Sequence, residues 1–509
     1  MMPHLHNTTD IKSILAQFKI DAPEVQVSEL VLDSREVAVH SVFVAIKGHQ
    51  LDGRDFIPQA ISLGAKLILQ EVEQPQRHGD IEMREQSILI SFYQLGQKLS
   101  QLAAAFYGTP AQHLDVVGVT GTNGKTSVVQ LISQLRYLCG DKSASIGTLG
   151  AGLYSADNNA LEKTLNTTPD ACQVQKLLGK FVQSGAKQVA LEVSSHALVQ
   201  DRIQGLKMDV GVFTNLTRDH LDYHGNMHEY AKAKRQLLNQ PGLKHLVLNA
   251  DDPETQNWVV AASRQQHITL FSTQLKVEQL PEQRHYCLAS HIDYSHSGLS
   301  FELHSSWGNA RINCGLLGQF NVANLLAAMA SLLVLGLPLQ QLAKLCAKLK
   351  PVAGRMELFE HPTAGHLIVD FAHTPDALEQ ALKSARVHSD KQLICVFGCG
   401  GDRDKGKRPL MGEAAERFSD QIILTSDNSR SEPSSSIVAD ILAGIKDQSK
   451  VYVETNRKKA IQLAIAHSQK GDLIVVAGKG HETEQIIGEQ ILPYDERNYV
   501  NTLSVGKMQ

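Results

Sequence analysis

Paired cysteines are missing from this sequence of 509 residues. Its seven cysteines (Cys139, Cys172, Cys287, Cys314, Cys346, Cys395, Cys399) are odd in number, scattered and never spaced Cys-x-x-Cys. That excludes a disulfide framework or a zinc ribbon and favours a reducing compartment. A long hydrophobic run is missing too. The longest, Leu325–Leu337, stops at Pro338 and falls short of the ~18–20 residues that cross a bilayer, so it predicts a buried helix. Met1–Ile20 interrupts its apolar residues with His4, Asn7, Asp10 and Lys12, which predicts no secretory leader. Nor does one sign of charge dominate: 49 Lys+Arg face 53 Asp+Glu, a formal net charge of -4, with no basic block. Nucleic acid and a membrane are therefore not expected as partners. We find no internal repeat, and at ~100–200 residues per domain the length predicts about three domains. A cytoplasmic monomer is expected.

What is present is an alternation of strand-like and helix-like segments, which predicts an α/β protein. A first block, residues 1–108, has short strands such as Val42–Ile46 and Lys66–Leu69 and a helix over Leu95–Phe106, and it ends at the turn Gly108-Thr109-Pro110. A second, 109–350, carries the buried-strand runs Val116–Val119, Gln188–Glu192, Val210–Phe213 and Leu246–Asn249, predicting a mainly parallel, doubly wound sheet. Its later part, about His267–Trp307, changes to alternating short segments in which some antiparallel structure is expected, followed by a long helix over Asn321–Leu335. A third, 351–509, repeats the alternation with strands at Leu367–Asp370, Leu393–Phe397, Gln421–Leu424 and Leu473–Ala477. In both α/β blocks the Gly, Asp and His clusters fall beyond strand ends, where open sheets bind ligands.

The strongest local signal is Gly121-Thr122-Asn123-Gly124-Lys125-Thr126, placed between a strand and a helix-like segment from Ser127 to Leu138. Glycines let backbone N–H groups converge on phosphate oxygens, Lys125 reaches the terminal phosphates, and Thr126 can ligate Mg²⁺. The usual first glycine is replaced by Val119, which counts against a generic kinase or GTPase. Glu192, at a strand end, is the expected carboxylate partner of Mg²⁺. His220 is a second candidate, in competition with Asp219, Asp222 and His224. Taken alone, Lys232, Lys234 and Arg235 read as an exposed helix face, Asn166-Thr167-Thr168-Pro169 as a turn, and Gly398–Lys407 equally as a second phosphate-binding nest. Cys395 and Cys399 read as buried residues.

Together these motifs resemble the Mur ligase family over essentially the whole chain. The phosphate loop, Glu192, His220, Gly318–Asn324, Arg355 in Gly354-Arg355-Met356 and Asp370 in Val369–Pro375 occur in family order. The N-terminal Leu32–Arg35 and Gly48–Gly53 resemble a UDP-binding part. The resemblance implies three domains: a small N-terminal α/β UDP-binding domain, a central P-loop ATPase-like domain and a C-terminal Rossmann-like domain. It implies an ATP- and Mg²⁺-dependent amide ligase that joins meso-2,6-diaminopimelate to UDP-N-acetylmuramoyl-L-alanyl-D-glutamate through an acyl phosphate, in peptidoglycan precursor synthesis. Nucleotide contacts would come from Gly121 through Ser127, Asn321, Arg355 and Asp370. Lys234 matches a lysine carbamylated to N6-carboxylysine, which would join Thr126, Glu192 and His220 as a metal ligand.

The same resemblance assigns the UDP-linked substrate to Leu32, Ser34, His49, Gln50, Leu51, Asn166, Thr167, Thr168, Ser194, Gln200 and Arg202. It assigns diaminopimelate to Arg403, Asp427, Asn428, Ser429, Arg430, Gly478 and Glu482. Ser429 stands where the family's Asp-Asn-Pro-Arg motif has proline. A guanidinium such as Arg430 suits the distal carboxylate that diaminopimelate has and lysine lacks. A lysine-adding member, a folylpolyglutamate-synthase-like ligase and a P-loop ATPase switch remain as alternatives.

Overall fold

The computed structural model describes residues 8–48, 51–155, 161–280 and 284–504. The chain divides into two compact units. One is built from residues 1–271, 281–285 and 327–337, the other from 272–280, 286–326 and 338–509.

The first unit holds two main sheets, beside a two-stranded pairing of Thr9–Asp10 with Gln26–Val27. In the N-terminal one, β1 (Glu29–Val31), β2 (Ser41–Ala45), β3 (Leu67–Val72), β4 (Ile81–Arg84) and β5 (Ser87–Tyr93) form a five-stranded sheet in the order β1-β2-β3-β5-β4. All its pairs are parallel except β4–β5. The helix Leu95–Phe106 lies where its apolar periodicity predicts it. Leu95, Leu99, Leu102, Ala103 and Phe106 join Val42, Leu67 and Ile90 in one core.

That core also takes in Ala171 and Cys172, the first residues of a helix over Ala171–Gln183. Farther along the same helix, Lys176 pairs with Glu29 of β1 at 2.7 Å.

The helix belongs to the central sheet, whose strands in this unit are β6 (Asp115–Thr120), β7 (Ser143–Gly147), β8 (Gly150–Leu153), β9 (Gln188–Glu192), β10 (Val210–Phe213), β11 (His245–Asn249) and β12 (His267–Ser272). They run in the order β8-β7-β9-β6-β10-β11-β12, parallel but for β8. With β6 flanked by β9 and β10, the carboxyl ends of three parallel strands open at the point where the winding reverses. This is where such a sheet places a ligand crevice.

In the second unit β13 (His285–Ser295), β14 (Gly298–Ser305) and β15 (Gly308–Cys314) form the expected antiparallel ladder. Then β16 (Glu357–Phe359), β17 (His366–Asp370), β18 (Leu393–Phe397), β19 (Gln421–Leu424), β20 (Val451–Val453) and β21 (Leu473–Ala477) make a six-stranded sheet in the order β16-β17-β21-β18-β19-β20. Only β16 runs antiparallel to its neighbour. Alternate residues serve opposite layers, as the two-residue period of a strand requires. Ile368, Cys395, Phe397 and Leu424 pack with Leu378, Leu382, Met411 and Ala415 on one face. Val369, Ile394, Val396 and Ile423 pack with Ala460, Ile461, Ala464 and Val500 on the other.

The long apolar helix runs Phe320–Val334, one residue earlier than its sequence pattern suggests. Among the described residues no helix is long and apolar enough to cross a membrane.

Candidate functional site

In the first unit the loop 121–124 leaves β6 with Gly121 at φ 145° and Gly124 at φ 85°. Both values belong to glycine. A side chain at Gly121 would also collide with Thr214 Oγ1. The segment after β10 cradles the loop: Asn215 Oδ1 accepts from Asn123 N at 2.9 Å, and Thr214 Oγ1 donates to Asn123 O at 2.6 Å. Thr126 and Ser127 are buried in the first turn of the helix Lys125–Leu138. Lys125 curls back over the loop, its Nζ donating to Gly121 O and Thr122 O, both at 2.8 Å.

Glu192 ends β9 and is only 1% exposed. Its carboxylate takes bonds from neutral groups, Thr148 N at 2.8 Å and Thr148 Oγ1 at 3.2 Å. Gly147 leaves room for it, since a Cβ there would strike Glu192 Oε1. A buried anion with neutral donors suits a cation beside the loop. His220 sits in the left-handed region at φ 52° before the short helix Leu221–His224. Its ring lies 5.1 Å from that of His196, and burial lowers its pKa, favouring the neutral imidazole that ligates metals.

Lys234 overturns the reading of Lys232, Lys234 and Arg235 as one exposed helix face. Within the helix Met227–Arg235, Lys232 is 65% exposed at its side chain while Lys234 is 1% exposed. The side of the helix carrying Tyr230 and Lys234 packs onto the phosphate loop. Lys234 Nζ donates to Gly121 O at 2.7 Å and lies 4.6 Å from the Tyr230 ring centre. Burial and the nearby Lys125 charge drive its pKa well below the ordinary lysine value. Both lysines therefore point at one carbonyl. Among the described residues no group of three His, Cys, Asp or Glu side chains could hold a metal ion. Thr126, Glu192 and His220 thus offer one hydroxyl, one carboxylate and one imidazole, and Lys234 adds an oxygen ligand only as its carbamate.

Most of the residues expected to hold the UDP-linked substrate form a network around Glu192. Thr168 Oγ1 donates to Glu192 O at 2.7 Å and accepts from Ser194 N at 3.0 Å. Arg202 Nη1 donates to Thr168 O and Nη2 to Gln200 Oε1, both at 2.6 Å. Thr167 Oγ1 meets Thr148 Oγ1 at 3.2 Å, and Asn166 O accepts from Thr164. Leu32 and Ser34 follow β1, and Leu51 follows its parallel neighbour β2, in the other sheet of this unit. Ser34 Oγ donates to Gln59 Oε1 at 2.8 Å. His49 and Gln50 lie outside the described residues.

The second unit gathers the remaining residues. Asn321 is buried, donating to Leu317 O at 2.6 Å and accepting from Asn324 Nδ2 at 2.9 Å. Asp370 ends β17. Its oxygens accept from Met356 N and Ala372 N, both at 2.8 Å, tying down the turn that carries Arg355. Burial raises its pKa against the opposing Arg355 charge, and the Arg355 guanidinium lies 4.6 Å over the Phe371 ring.

Beyond β18, β19 and β21 three loops converge. Arg430, at φ 49°, donates from Nη1 to Gly401 O at 2.8 Å. Asp427 Oδ1 accepts from Asn428 N at 2.6 Å, and Asn428 Nδ2 donates to Glu482 Oε2 at 3.0 Å. Gly478 has φ 116°, and a Cβ on it would lie 2.6 Å from Asp427 Oδ2. Ser429 is buried, and Arg403 is exposed in the loop after Gly401.

Sequence reasoning missed the two cations that brace these loops, Lys479 and Arg408. Arg408 is fully buried and bonds Glu432 and Asp440. Isolated Lys and Arg in a polar stretch read as solvated, so only the flanking glycines of Lys479 were a signal. Thr148, which orients Glu192, carried none.

Three family descriptions match the chain: "Mur ligase family, catalytic domain" over residues 26–107, "Mur ligase middle domain" over 119–332, and "Mur ligase, glutamate ligase domain" over 354–480. The UDP-N-acetylmuramoyl-L-alanyl-D-glutamate--2,6-diaminopimelate ligase of Vibrio vulnificus (strain YJ016) is 43% identical over 502 residues, covering 98% of this chain and 99% of the relative. The ligase of the same name from Haemophilus influenzae (strain PittGG) is 43% identical over 474 residues, 93% of this chain and 95% of the relative. A solved structure of a ligase of that name superposes with a TM-score of 0.70 at 34% identity, covering 97% of this chain and 98% of the other.

Proposed function

The chain belongs to the Mur ligase family, and from that premise we propose that it is an ATP-dependent ligase adding meso-2,6-diaminopimelate to UDP-N-acetylmuramoyl-L-alanyl-D-glutamate. The observation that carries this reading is the near-full-length identity to ligases of that name. The geometry supports its chemical parts. The loop amides and Lys125 bind the triphosphate, and the D-glutamyl γ-carboxylate attacks its terminal phosphorus, breaking the bond to the β–γ bridging oxygen and releasing ADP. The resulting acyl phosphate is then taken by an amine of diaminopimelate, which releases phosphate and gives up its proton as the amide forms. Thr126, Glu192, His220 and carbamylated Lys234 would hold Mg²⁺, which when bound would neutralise phosphate charge. Arg202, Thr168, Ser194 and Gln200, with Asn166, Thr167, Leu32, Ser34, His49, Gln50 and Leu51, hold the UDP-linked peptide. Asn321, Arg355 and Asp370 serve the nucleotide.

Arg430 and Arg403 take the distal carboxylate of diaminopimelate, and Glu482, with Asp427, Asn428, Ser429 and Gly478, takes its ammonium end. The domains run 1–108, 109–350 and 351–509, limits within which all three family matches fall. The place of action is the cytoplasm, where ATP is at hand. The seven cysteines are all free thiols, as a reducing compartment requires.

The test is phosphate release from ATP with the UDP-linked dipeptide present and meso-diaminopimelate, L-lysine or no amino acid added. Release coupled to a new amide with diaminopimelate alone is the expected result. Equal release in all three would leave an ATPase switch, and preference for L-lysine would move the chain to the lysine-adding branch. Arg430→Ala is expected to raise the KM for diaminopimelate about tenfold to a hundredfold, the worth of a charge-assisted bond, with the KM for ATP little changed. An unchanged diaminopimelate KM would remove Arg430 from the pocket.

A further inference from the structure

Between Gly478 and Glu482 lies a lysine to which the family resemblance gives no part. Lys479 is 0% exposed. Its Nζ donates to Glu482 Oε2 at 2.8 Å and to Asn428 Oδ1 at 2.9 Å, with Asp427 Oδ1 at 3.7 Å. A buried ammonium persists only where acceptors surround it. These acceptors come from two loops more than fifty positions apart, one after β19 and one after β21.

The lysine also decides how its neighbours point. Asn428 Oδ1 accepts from Lys479 Nζ and from Ile486 N at 2.9 Å, and its Nδ2 donates to Glu482 Oε2. Two donors on one side and a carboxylate on the other permit a single orientation of that amide. Glu482 Oε2 is committed to Lys479 and Asn428. The Glu482 side chain nevertheless remains 31% exposed, so part of it stays open to an arriving ligand.

We propose that Lys479 is a positioning residue of the amino-acid pocket, holding Glu482, directly and through Asn428, as a preset acceptor for the ammonium group of the incoming amino acid. The inference rests on the diaminopimelate pocket described above and adds to it a group that touches no substrate. A carboxylate already held in its binding orientation loses no rotamer freedom when the ammonium arrives. Without Lys479, Glu482 must be ordered by the substrate itself, and Asp427 and Glu482 lose the cation between them. The cost falls on binding of the amino acid and not on the nucleotide steps.

The experiment is steady-state kinetics on the full chain with saturating ATP and UDP-linked dipeptide, comparing wild type, Lys479→Met, Glu482→Gln and the double variant. Lys479→Met is expected to raise the KM for diaminopimelate about tenfold or more while the KM for ATP stays within about threefold. Because Lys479 acts through Glu482, the double variant is expected to be no worse than the poorer single variant. A merely structural lysine would give multiplied losses and a lowered affinity for every substrate. Thermal denaturation reports folding, and if Lys479→Met does not fold, Lys479→Gln is measured against the same criteria. A diaminopimelate KM within about threefold of wild type in a folded variant, or multiplied effects in the double variant, would overturn the proposal. A wild type indifferent to diaminopimelate would overturn the pocket as well, so the two failures are told apart by the wild-type control.

Discussion

Lys125→Ala is expected to keep its fold and lose about a thousandfold or more in kcat, the loss seen when one preorganised charge facing a reacting group is removed. The Lys125 ammonium is held over the loop by the carbonyls of Gly121 and Thr122. Those bonds keep it preorganised where the phosphates arrive, so it needs no large reorganisation at the moment of transfer. Its removal takes away the one side-chain ammonium the loop itself supplies to the developing phosphoryl charge. Stability is expected to change little, because Lys125 opens a helix and alanine is the best helix former. Phosphate release under saturating substrates, with a thermal melt as the control, checks both parts. A kcat within about tenfold of wild type would mean that the loop is not the site of phosphoryl transfer.

Lys234→Met is the second large effect, an expected loss of about a hundredfold to a thousandfold in kcat. Only a neutral amine adds CO₂, losing a proton as the carbamate forms. Burial and the charge of Lys125 favour that neutral form. Lowering the pH protonates the amine, so the carbamate is favoured on the alkaline side and lost toward acid. Wild-type enzyme freed of CO₂ is therefore expected to regain activity when bicarbonate is added, most clearly above neutral pH, and Lys234→Met to ignore bicarbonate. Isotopically labelled bicarbonate would mark the carbamate carbon directly by nuclear magnetic resonance. An active Lys234→Met variant, or a wild type without labelled carbamate, would return Lys234 to a packing role against Tyr230.

Many elements were legible from local pattern. The strands Gln188–Glu192, Val210–Phe213, Leu393–Phe397, Gln421–Leu424 and Leu473–Ala477 have the limits their apolar runs predict, because a strand covered on both faces must be apolar at nearly every position. The helix Leu95–Phe106 follows equally from its period and from the turn that ends it. The phosphate loop was legible because its glycines are demanded by backbone geometry that no other residue adopts cheaply. In the N-terminal sheet the pattern marked β2 and β3, while the short β1 and the exposed edge strand β4 offered little period to read.

Lys234 and Lys479 show what a local pattern withholds. Each is a lysine among polar neighbours, and sequence alone sends such a residue to solvent. Burial of Lys234 depends on which side of the helix Met227–Arg235 meets the loop, and burial of Lys479 on two distant loops closing over it. Thr148 likewise matters only because β7 and β9 are neighbours, which sets its N–H against Glu192.

What the sequence by itself determined, then, is the alternation of strands and helices, the phosphate loop, and the family order of motifs from Leu32 to Glu482. Their information is carried by the periodicity and backbone demands of consecutive residues. Which charged side chains are withdrawn from water, and which partners hold them there, was decided only by the tertiary structure, because desolvation and pairing depend on residues far apart in the chain.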